Sequence, residues 1–443
     1  MSDVAWIDSV LRSARPLAVG ALLRYFRDLD RAEEAFQEAC LRALKNWPVN
    51  GPPRDAVAWL VLVGRNVGLD EVRRSGKTAP LPDDDAISNL EDAEGDIAER
   101  LDDSHYRDDV LRLLFICCHP DLPAVQQIAL ALRVVSGLTV KEIARAFLVS
   151  ESAMEQRITR AKSRVAQADV PFGAPGAVER TERLGAVAAM IYLLFNEGYS
   201  ASGGEAHMRM PLCEEAIRLA RLLLTLFSAE PEIMGLMALL LMQHARAPAR
   251  LDADGAVILL EDQDRSLWNR DTIAEGHALI EKAGRHRQPG PYQVQAALAG
   301  VHAHAARPED TDWAAIDQLY ATLQRLQPSP VVTLNRAVAV SKVAGPEAAL
   351  AMIGPLAEPL GSYFHFFGLK GGLLMQLGRA EEARAAFDRA IALAHTPAEA
   401  AHIRMLLDRL MRDGDLWKNN QKKLASQKFA GDVGTPLSRS SSV

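Results

Sequence analysis

Cysteine is scarce: Cys40, Cys117, Cys118 and Cys213 are the only four among 443 residues, too few for a disulfide framework, and this usage points to a reducing compartment. Aromatic residues make up 6%, β-branched runs are rare and alternating Val/Ile/Tyr segments with hairpin turns are nearly absent, so a β-rich fold is not expected. The most apolar run, Ile233 to Met242, is half the length needed to cross a bilayer. The opening MSDVAWIDSV has no basic region followed by an apolar stretch. A cytoplasmic, uncleaved protein with no membrane partner is expected. A glycine-rich phosphate loop between a strand and a helix is also missing, which argues against nucleotide-dependent α/β chemistry. Neither charge dominates, and the formal net charge is −7, the reverse of a polycation that coats nucleic acid.

What remains is rich in alanine, leucine and arginine, and reads as all-α. Charge is partitioned along it. Residues 1–77 carry +2, residues 78–105 carry −9 including Asp83, Asp84 and Asp85, residues 106–165 carry +3, and the remainder carries −3. Two weakly basic modules are thus joined by an acidic connection opening with Pro80 and Pro82, which has linker composition. Beyond residue 178, Glu179–Phe195, Pro211–Phe227 and Pro231–His244 read as amphipathic helices, the last two with Pro in the first turn. Farther on, small residues recur at a period of 34 (Ala303, Ala337, Gly371; Ala315, Ala349, Ala383) together with bulky Leu319, Ile353 and Phe387. This is the spacing of tetratricopeptide helix pairs. Residues 419–443 are polar and read as a disordered tail.

The sharpest local signal is LTVKEIARAFLVSESAMEQRITRAKSRV, residues 138–165. Thr139 and Glu142 form a capping box opening a short helix with Ile143, Ala144 and Phe147 on one face. A turn follows at Leu148 to Ser150, then a second helix with Met154, Ile158, Ala161 and Val165 inward and Gln156, Thr159, Arg160 and Ser163 outward. That is a helix-turn-helix, whose second helix needs one face for anchoring and one for base edges and phosphates. Arg157, Arg160, Lys162 and Arg164 favour DNA, whereas Glu151 and Glu155 oppose phosphate; Glu155 could accept from a cytosine amino group or cap its helix.

Upstream, RAEEAFQEACLRALKNW is a helix with Glu33, Glu34, Gln37 and Glu38 on its exposed side and Ala35, Phe36, Ala39, Cys40, Ala43 and Leu44 available to the core. Spacing alone reads that acidic face as solvated. After the loop from Pro48 to Pro53, AWLVLVGRNVGLDEVRRSGK offers Trp59, Leu60, Val63, Val67 and Val72 inward and Arg65, Asn66, Arg73, Arg74 and Lys77 outward. Basic groups beside an Asn suit a strand-separated nucleic acid. Trp59 is expected in the core, given the apolar area it must bury.

AEEAFQEACLRA, AWLVLVGRNVGLDEVRR, an acidic linker and the helix-turn-helix, in this order, resemble regions 2 and 4 of the extracytoplasmic-function subgroup of sigma-70 factors. FICCHP (115–120), FNEGYSAS (195–202), LLEDQDRSLWNR (259–270) and the 34-residue repeats look like the branch with a long tetratricopeptide-like C-terminal extension. The resemblance implies region 2 over 8–77, a linker over 78–105, region 4 over 106–168, a helical extension over 178–300, repeats over 301–415 and a tail over 416–443. It implies that Glu33, Glu34, Gln37, Glu38 and Arg42 dock on the clamp of core RNA polymerase, with region 4 meeting the flap. It further implies that Arg65, Asn66, Asp70, Arg73, Arg74 and Lys77, with the loop from Asn50 to Arg54, capture the unpaired minus-10 element. The helix from Ser150 to Arg164, through Ser152, Glu155, Gln156, Arg157, Thr159, Arg160 and Ser163, would read the minus-35 element; Glu155 stands where the family often has a basic residue. The acidic linker is expected to thread the polymerase RNA path, and the repeats to bind a regulatory protein or peptide.

No catalytic residue, cofactor or metal is expected. Cys117, Cys118 and His119 lack zinc-ligand spacing, and the cysteines read as buried thiols. Glu197, Tyr199, Glu261, Asp262, Asp264 and Arg265 read as helix caps and ion pairs, because no nucleophile or cofactor loop accompanies them. An alternative, a ligand-sensing or enzymatic helical domain fused to a DNA-binding output module, stays open, as does a scaffold whose repeats bind a peptide.

Overall fold

The structure is a computed structural model that describes residues 5–51, 53–74, 103–147, 149–167, 177–199, 208–252, 258–394 and 403–404; side chains are described for these apart from 5, 67–74, 103–107 and 177–180. The acidic connection over 78–102, Lys77 and the tail over 416–443 lie outside the described residues. Those residues form helices and connecting turns with no strand among them, an all-α fold. The chain divides into two compact units, the cut falling between Leu240 and Leu241.

The first unit opens with α1 (Ala5–Phe26), α2 (Leu29–Asn50) and α3 (Ala56–Arg74). Asp28 starts α2 by accepting a hydrogen bond from the Arg31 amide, and Asp55 starts α3 by accepting from the amides of Val57 and Ala58. Ala32, Ala35, Ala39 and Ala43 make one face of α2 thin enough for close approach, and all four are buried. Trp47 closes the end of this bundle, stacked 6.1 Å from Trp6 and edge-on to Trp59 at 5.4 Å. Trp59 is therefore core, as its size demands. Leu44 is a correction: expected inward, it is 42% exposed, because it lies one and two turns beyond Leu41 and Gln37 on the outward stripe.

The unit continues with α4 (Asp103–Cys117), α5 (Ala124–Val134), α6 (Val140–Ala146) and α7 (Glu151–Gln167). The capping box forms: Glu142 N donates to Thr139 Oγ1 at 3.2 Å, and Thr139 N donates to the Glu142 carboxylate at 2.7 Å. Those hydrogen bonds, the backbone one first, hold the Glu142 carboxyl below its usual range. Met154, Ile158, Ala161 and Val165 are buried on the inner face of α7, and Ile143, Ala144 and Phe147 meet them from α6. Three helices follow, α8 (Ala177–Tyr199), α9 (Met210–Leu226) and α10 (Pro231–His244), the last carrying the cut between units. α8 packs on α4 and α5, with the buried Arg183 guanidinium 4.9 Å from the centre of the Phe115 ring.

The second unit holds α11 (Arg270–Gly284), α12 (Pro291–His304), α13 (Trp313–Leu326), α14 (Pro330–Val343), α15 (Pro346–Ile353), α16 (Phe364–Gln376) and α17 (Ala380–Leu393). Short connections make successive helices pack as hairpins: α12 with α13, α14 with α15, α16 with α17. The 34-residue period has a packing cause. Ala303, Ala337 and Gly371 are buried in the first helix of each pair; Ala349 with Ile353, and Ala383 with Phe387, are buried in the second helix of the last two pairs. A Cβ at Gly371 would lie 2.5 Å from the Phe387 ring, so the small position exists to admit the bulky one. The first pair is looser, with Ala315 and Leu319 only half-buried.

Candidate nucleic-acid and partner interfaces

The outer face of α7 is built by subtraction. Its inward stripe is spent on α5 and α6, leaving Ser152, Glu155, Gln156, Thr159, Arg160 and Ser163 exposed together, with Arg157 half-buried. Ser150 Oγ accepts from the Ala153 amide at 3.3 Å and fixes where the helix begins. Two of the four basic residues of this segment are spoken for inside the unit: Arg164 donates to the Asp121 carbonyl at 3.0 Å, and Lys162 turns away from the outer face toward α2. Arg160 remains exposed beside Gln156 and Ser163, an array of donors and acceptors of groove-reading type.

On α3, the Arg65 guanidinium lies 4.7 Å from the centre of the Tyr25 ring, and Asn66 is exposed next to it. Tyr25 is 42% exposed, so cation and aromatic face form a small surface platform that spacing did not reveal, since Tyr25 belongs to α1. Asp70, Arg73 and Arg74 continue the same helix, their side chains outside the described residues.

The acidic face of α2 is only partly as expected. Glu34 and Gln37 are exposed, and Glu38 and Arg42 lie half-buried 3.8 Å apart. Glu33 is a correction. It is 4% exposed, because it shares the inward side of the helix with Ala32 and Phe36, where its Oε1 lies 2.9 Å from Arg15 and its Oε2 2.7 Å from Lys162 of α7. What the outward stripe gains instead is Leu41 at 55% exposure, a residue given no face by the spacing, and Leu44, expected in the core. With Glu34 and Gln37 they make a mixed apolar and acidic strip on the surface of α2.

Arg15 is held at several points: Nε donates to the Val134 carbonyl at 2.9 Å, one Nη to the Arg133 carbonyl at 3.3 Å and to Glu33. Gly137, with φ +71°, passes so close that a Cβ would lie 2.8 Å from Arg15 Cδ. Burial lowers the Arg15 pKa against the opposing pull of Glu33. For Lys162 burial also lowers it, but Glu33 and Asp30 outweigh that and leave the ammonium above its usual value.

The remaining polar clusters serve structure. Cys117 and Cys118 are free and buried, and burial pushes both thiols up. His119 Nδ1 accepts from the Asp121 amide, which places it in a turn. Glu197 pairs with Arg209 at 2.7 Å, Asp264 accepts from the Ser266 amide, and Arg265 donates to the carbonyls of His302 and Ala305. Among the described residues, no group of three or more His, Cys, Asp or Glu could hold a metal, and no helix is long and apolar enough to cross a membrane.

Three families match consecutive parts of the chain: Sigma-70 region 2 over residues 10–78, Sigma-70, region 4 over residues 112–165, and a family of unknown function (DUF6596) over residues 183–284. A protein of Rhizobium meliloti (strain 1021), described as uncharacterized, is 68% identical over 410 residues, covering 93% of this chain and 97% of its own.

Proposed function

We propose that this chain, which belongs to the sigma-70 family and is a sigma factor for promoter recognition with a helical C-terminal extension, is of the extracytoplasmic-function type and is controlled by that extension. The single observation that carries the reading is the exposed array on α7, anchored by its buried Met154, Ile158, Ala161 and Val165, in a segment that matches region 4 downstream of one that matches region 2.

In this reading Ser152, Glu155, Gln156, Arg157, Thr159, Arg160 and Ser163 meet the minus-35 element. Arg65, Asn66, Asp70, Arg73, Arg74 and Lys77 receive the unpaired minus-10 strand, the platform of Arg65 and Tyr25 offering a stacking face for an extruded base. Glu34, Gln37, Glu38 and Arg42, joined by Leu41 and Leu44, dock on the polymerase clamp; Glu33 is available for that once it leaves its buried partners. Region 4 contacts the flap, the acidic linker follows the RNA path, and the protein works in the cytoplasm without enzymatic activity of its own. The helix pairs of the second unit act as tetratricopeptide-like repeats that hold a regulatory protein or peptide. Packing of α8 on α4 and α5 supports control by the extension, because the extension begins on the helices that carry α7.

The test is transcription by purified core polymerase with the full-length protein on a library of random upstream sequences. Selected templates are expected to share paired minus-35 and minus-10 elements. Absence of any selected promoter overturns the sigma reading. A chain ending after Leu356, ahead of the last helix pair, is expected to change initiation from the same promoters; unchanged initiation removes control by the repeats.

A further inference from the structure

We propose that the second unit carries a binding site for a small phosphate-bearing anion, built by Arg246, Arg265 and Trp268. The site is independent of the sigma reading and gives the helical extension a ligand of its own. It draws on LLEDQDRSLWNR, a motif that the promoter reading leaves without a task. Its framework is local. Asp264 accepts from the Ser266 amide at 2.9 Å and starts a short turn over Arg265–Leu267 that delivers Trp268. Asn269 N then donates to the Ala245 carbonyl at 2.9 Å, which clips this loop onto the end of α10 and brings Arg246 and Trp268 together. The guanidinium carbons of Arg265 and Arg246 lie 5.1 and 5.7 Å from the centre of the Trp268 ring, two cations on one aromatic.

Nothing nearby neutralises these charges. Arg265 is 6% exposed, and one of its Nη atoms donates to the carbonyls of His302 and Ala305, which fixes the side chain and leaves its charge intact. Arg270 adds a third positive group, donating to the Arg265 carbonyl at 3.2 Å. Among the described residues neither Arg246 nor Arg265 has an ion pair; Asp310, which acts on Arg265 from a distance, is itself paired with Arg307 at 3.1 Å. Burial first and then Arg246 lower the Arg265 pKa, and after burial both arginines lower that of His302. Three donors meet here with no acceptor among the described residues: Nε of Arg246, Nε of Arg265 and Nε1 of Trp268, the last on a side chain 2% exposed. A buried donor without an acceptor and a buried charge without a partner are each costly, so their convergence points to a ligand that completes the set. Guanidinium forks beside an indole N–H call for a group that only accepts, through several oxygens, and carries more than one negative charge. A phosphate monoester meets that description, whereas a carboxylate brings one charge against at least two cations. Because the donors lie below the surface, the ligand is compact: free phosphate or a small phosphate ester, and not a nucleic-acid backbone.

The test uses full-length protein and titration calorimetry with inorganic phosphate, glycerol 3-phosphate and acetate, each against sodium chloride at matched ionic strength. Phosphate or its ester is expected to bind saturably and, at about ten times its dissociation constant, to raise the thermal unfolding midpoint by about 4 °C. Binding is expected to change the tryptophan emission, a change lost in Trp268→Phe. Arg246→Gln is expected to weaken binding at least about 10-fold, as when a charge-assisted hydrogen bond is lost, while melting no lower than wild type in phosphate-free buffer, because it removes an unpaired charge. Arg246→Lys, which keeps the charge but not the planar fork, is expected to give a smaller loss and stands in should the neutral variant fail to fold. Tighter binding of glycerol 3-phosphate than of phosphate assigns the ligand to the esters, and the reverse assigns it to the free ion. The site is overturned by the absence of saturable binding beyond the chloride control, by acetate binding as tightly as phosphate, or by wild-type affinity in both Arg246 variants. It is overturned equally by Arg246→Gln melting well below wild type without phosphate, which would make Arg246 a packing residue. None of these outcomes bears on promoter-specific transcription, so the sigma reading stands or falls separately.

Discussion

Lys162 Nζ lies 2.7 Å from Glu33 Oε2, joining the helix proposed to read the minus-35 element to the helix proposed to face polymerase. Local pattern puts Glu33 in an outward acidic strip and counts Lys162 among the basic residues that favour DNA. Together they are one buried contact. The surfaces left for partners are correspondingly different: Leu41 and Leu44 take the place of Glu33 on α2, and Arg160 carries the positive charge of α7 outward.

Because Leu41 and Leu44 are exposed, Leu41→Glu with Leu44→Glu is expected to leave the thermal unfolding of the protein within about 0.5 kcal/mol of wild type, the usual range for surface changes. Its affinity for core polymerase is expected to fall at least about 10-fold, as when central apolar residues of an interface are lost. Equilibrium binding to core polymerase measures this, and unchanged affinity would remove α2 from the interface.

Arg160→Ala should weaken binding of the holoenzyme to its selected promoters by about 10-fold or more, in line with ~1–3 kcal/mol for a good base contact, with selectivity lost at one base pair of the minus-35 element. Competition among single-position promoter variants reads this directly. Equal weakening on every sequence would assign Arg160 to a phosphate instead.

His302 provides a pH dependence for the second unit. Burial first, then Arg246 and Arg265, lower its pKa from 6.5 to about 4. Unfolded, the imidazole binds its proton as pH falls through about 6.5, whereas folded it stays neutral until about pH 4, so stability declines between those values as the medium is acidified. The loss is at most about 3 kcal/mol. Its backbone carbonyl, which accepts from Arg265, is retained in His302→Gln. The stability of that variant, followed by thermal unfolding from pH 7 to pH 4, should fall less steeply than wild type; parallel curves would show that His302 does not carry the effect.

Gly371→Val is expected to destabilise the last helix pair by about 2 kcal/mol or more, since its Cβ meets a ring that has no exposed face to retreat to. Adding Phe387→Ala should recover part of that loss, giving a non-additive double mutant. Strict additivity in chemical denaturation would mean that the two side chains do not share the space.

Much of the fold was legible because its determinants are local. The capping box at Thr139 and Glu142, the inward set on α7 and the small-to-bulky repeat at Gly371 and Phe387 each follow from residues within one or two helices, where a period of 3.6 or of 34 encodes which face is buried. The candidate sites were legible in outline. Gln156, Thr159, Arg160 and Ser163 are exposed together, as the amphipathic pattern required. The platform of Arg65 and Tyr25 and the apolar strip of α2 were not, since the first joins separate helices and the second breaks the rule that leucine faces inward.

By itself, then, the sequence determined an all-α chain with a helix-turn-helix and a helical extension, because helix periodicity, capping and repeat length are written into neighbouring residues; its two sigma modules came from resemblance. Only the tertiary structure decided which charges stay outside. A charge on a helix surface is solvated unless another element covers it, and the elements that cover Glu33, Arg15 and Lys162 come from distant parts of the chain. Such pairing depends on how α2, α5 and α7 pack in three dimensions, which no periodicity within any one of them records.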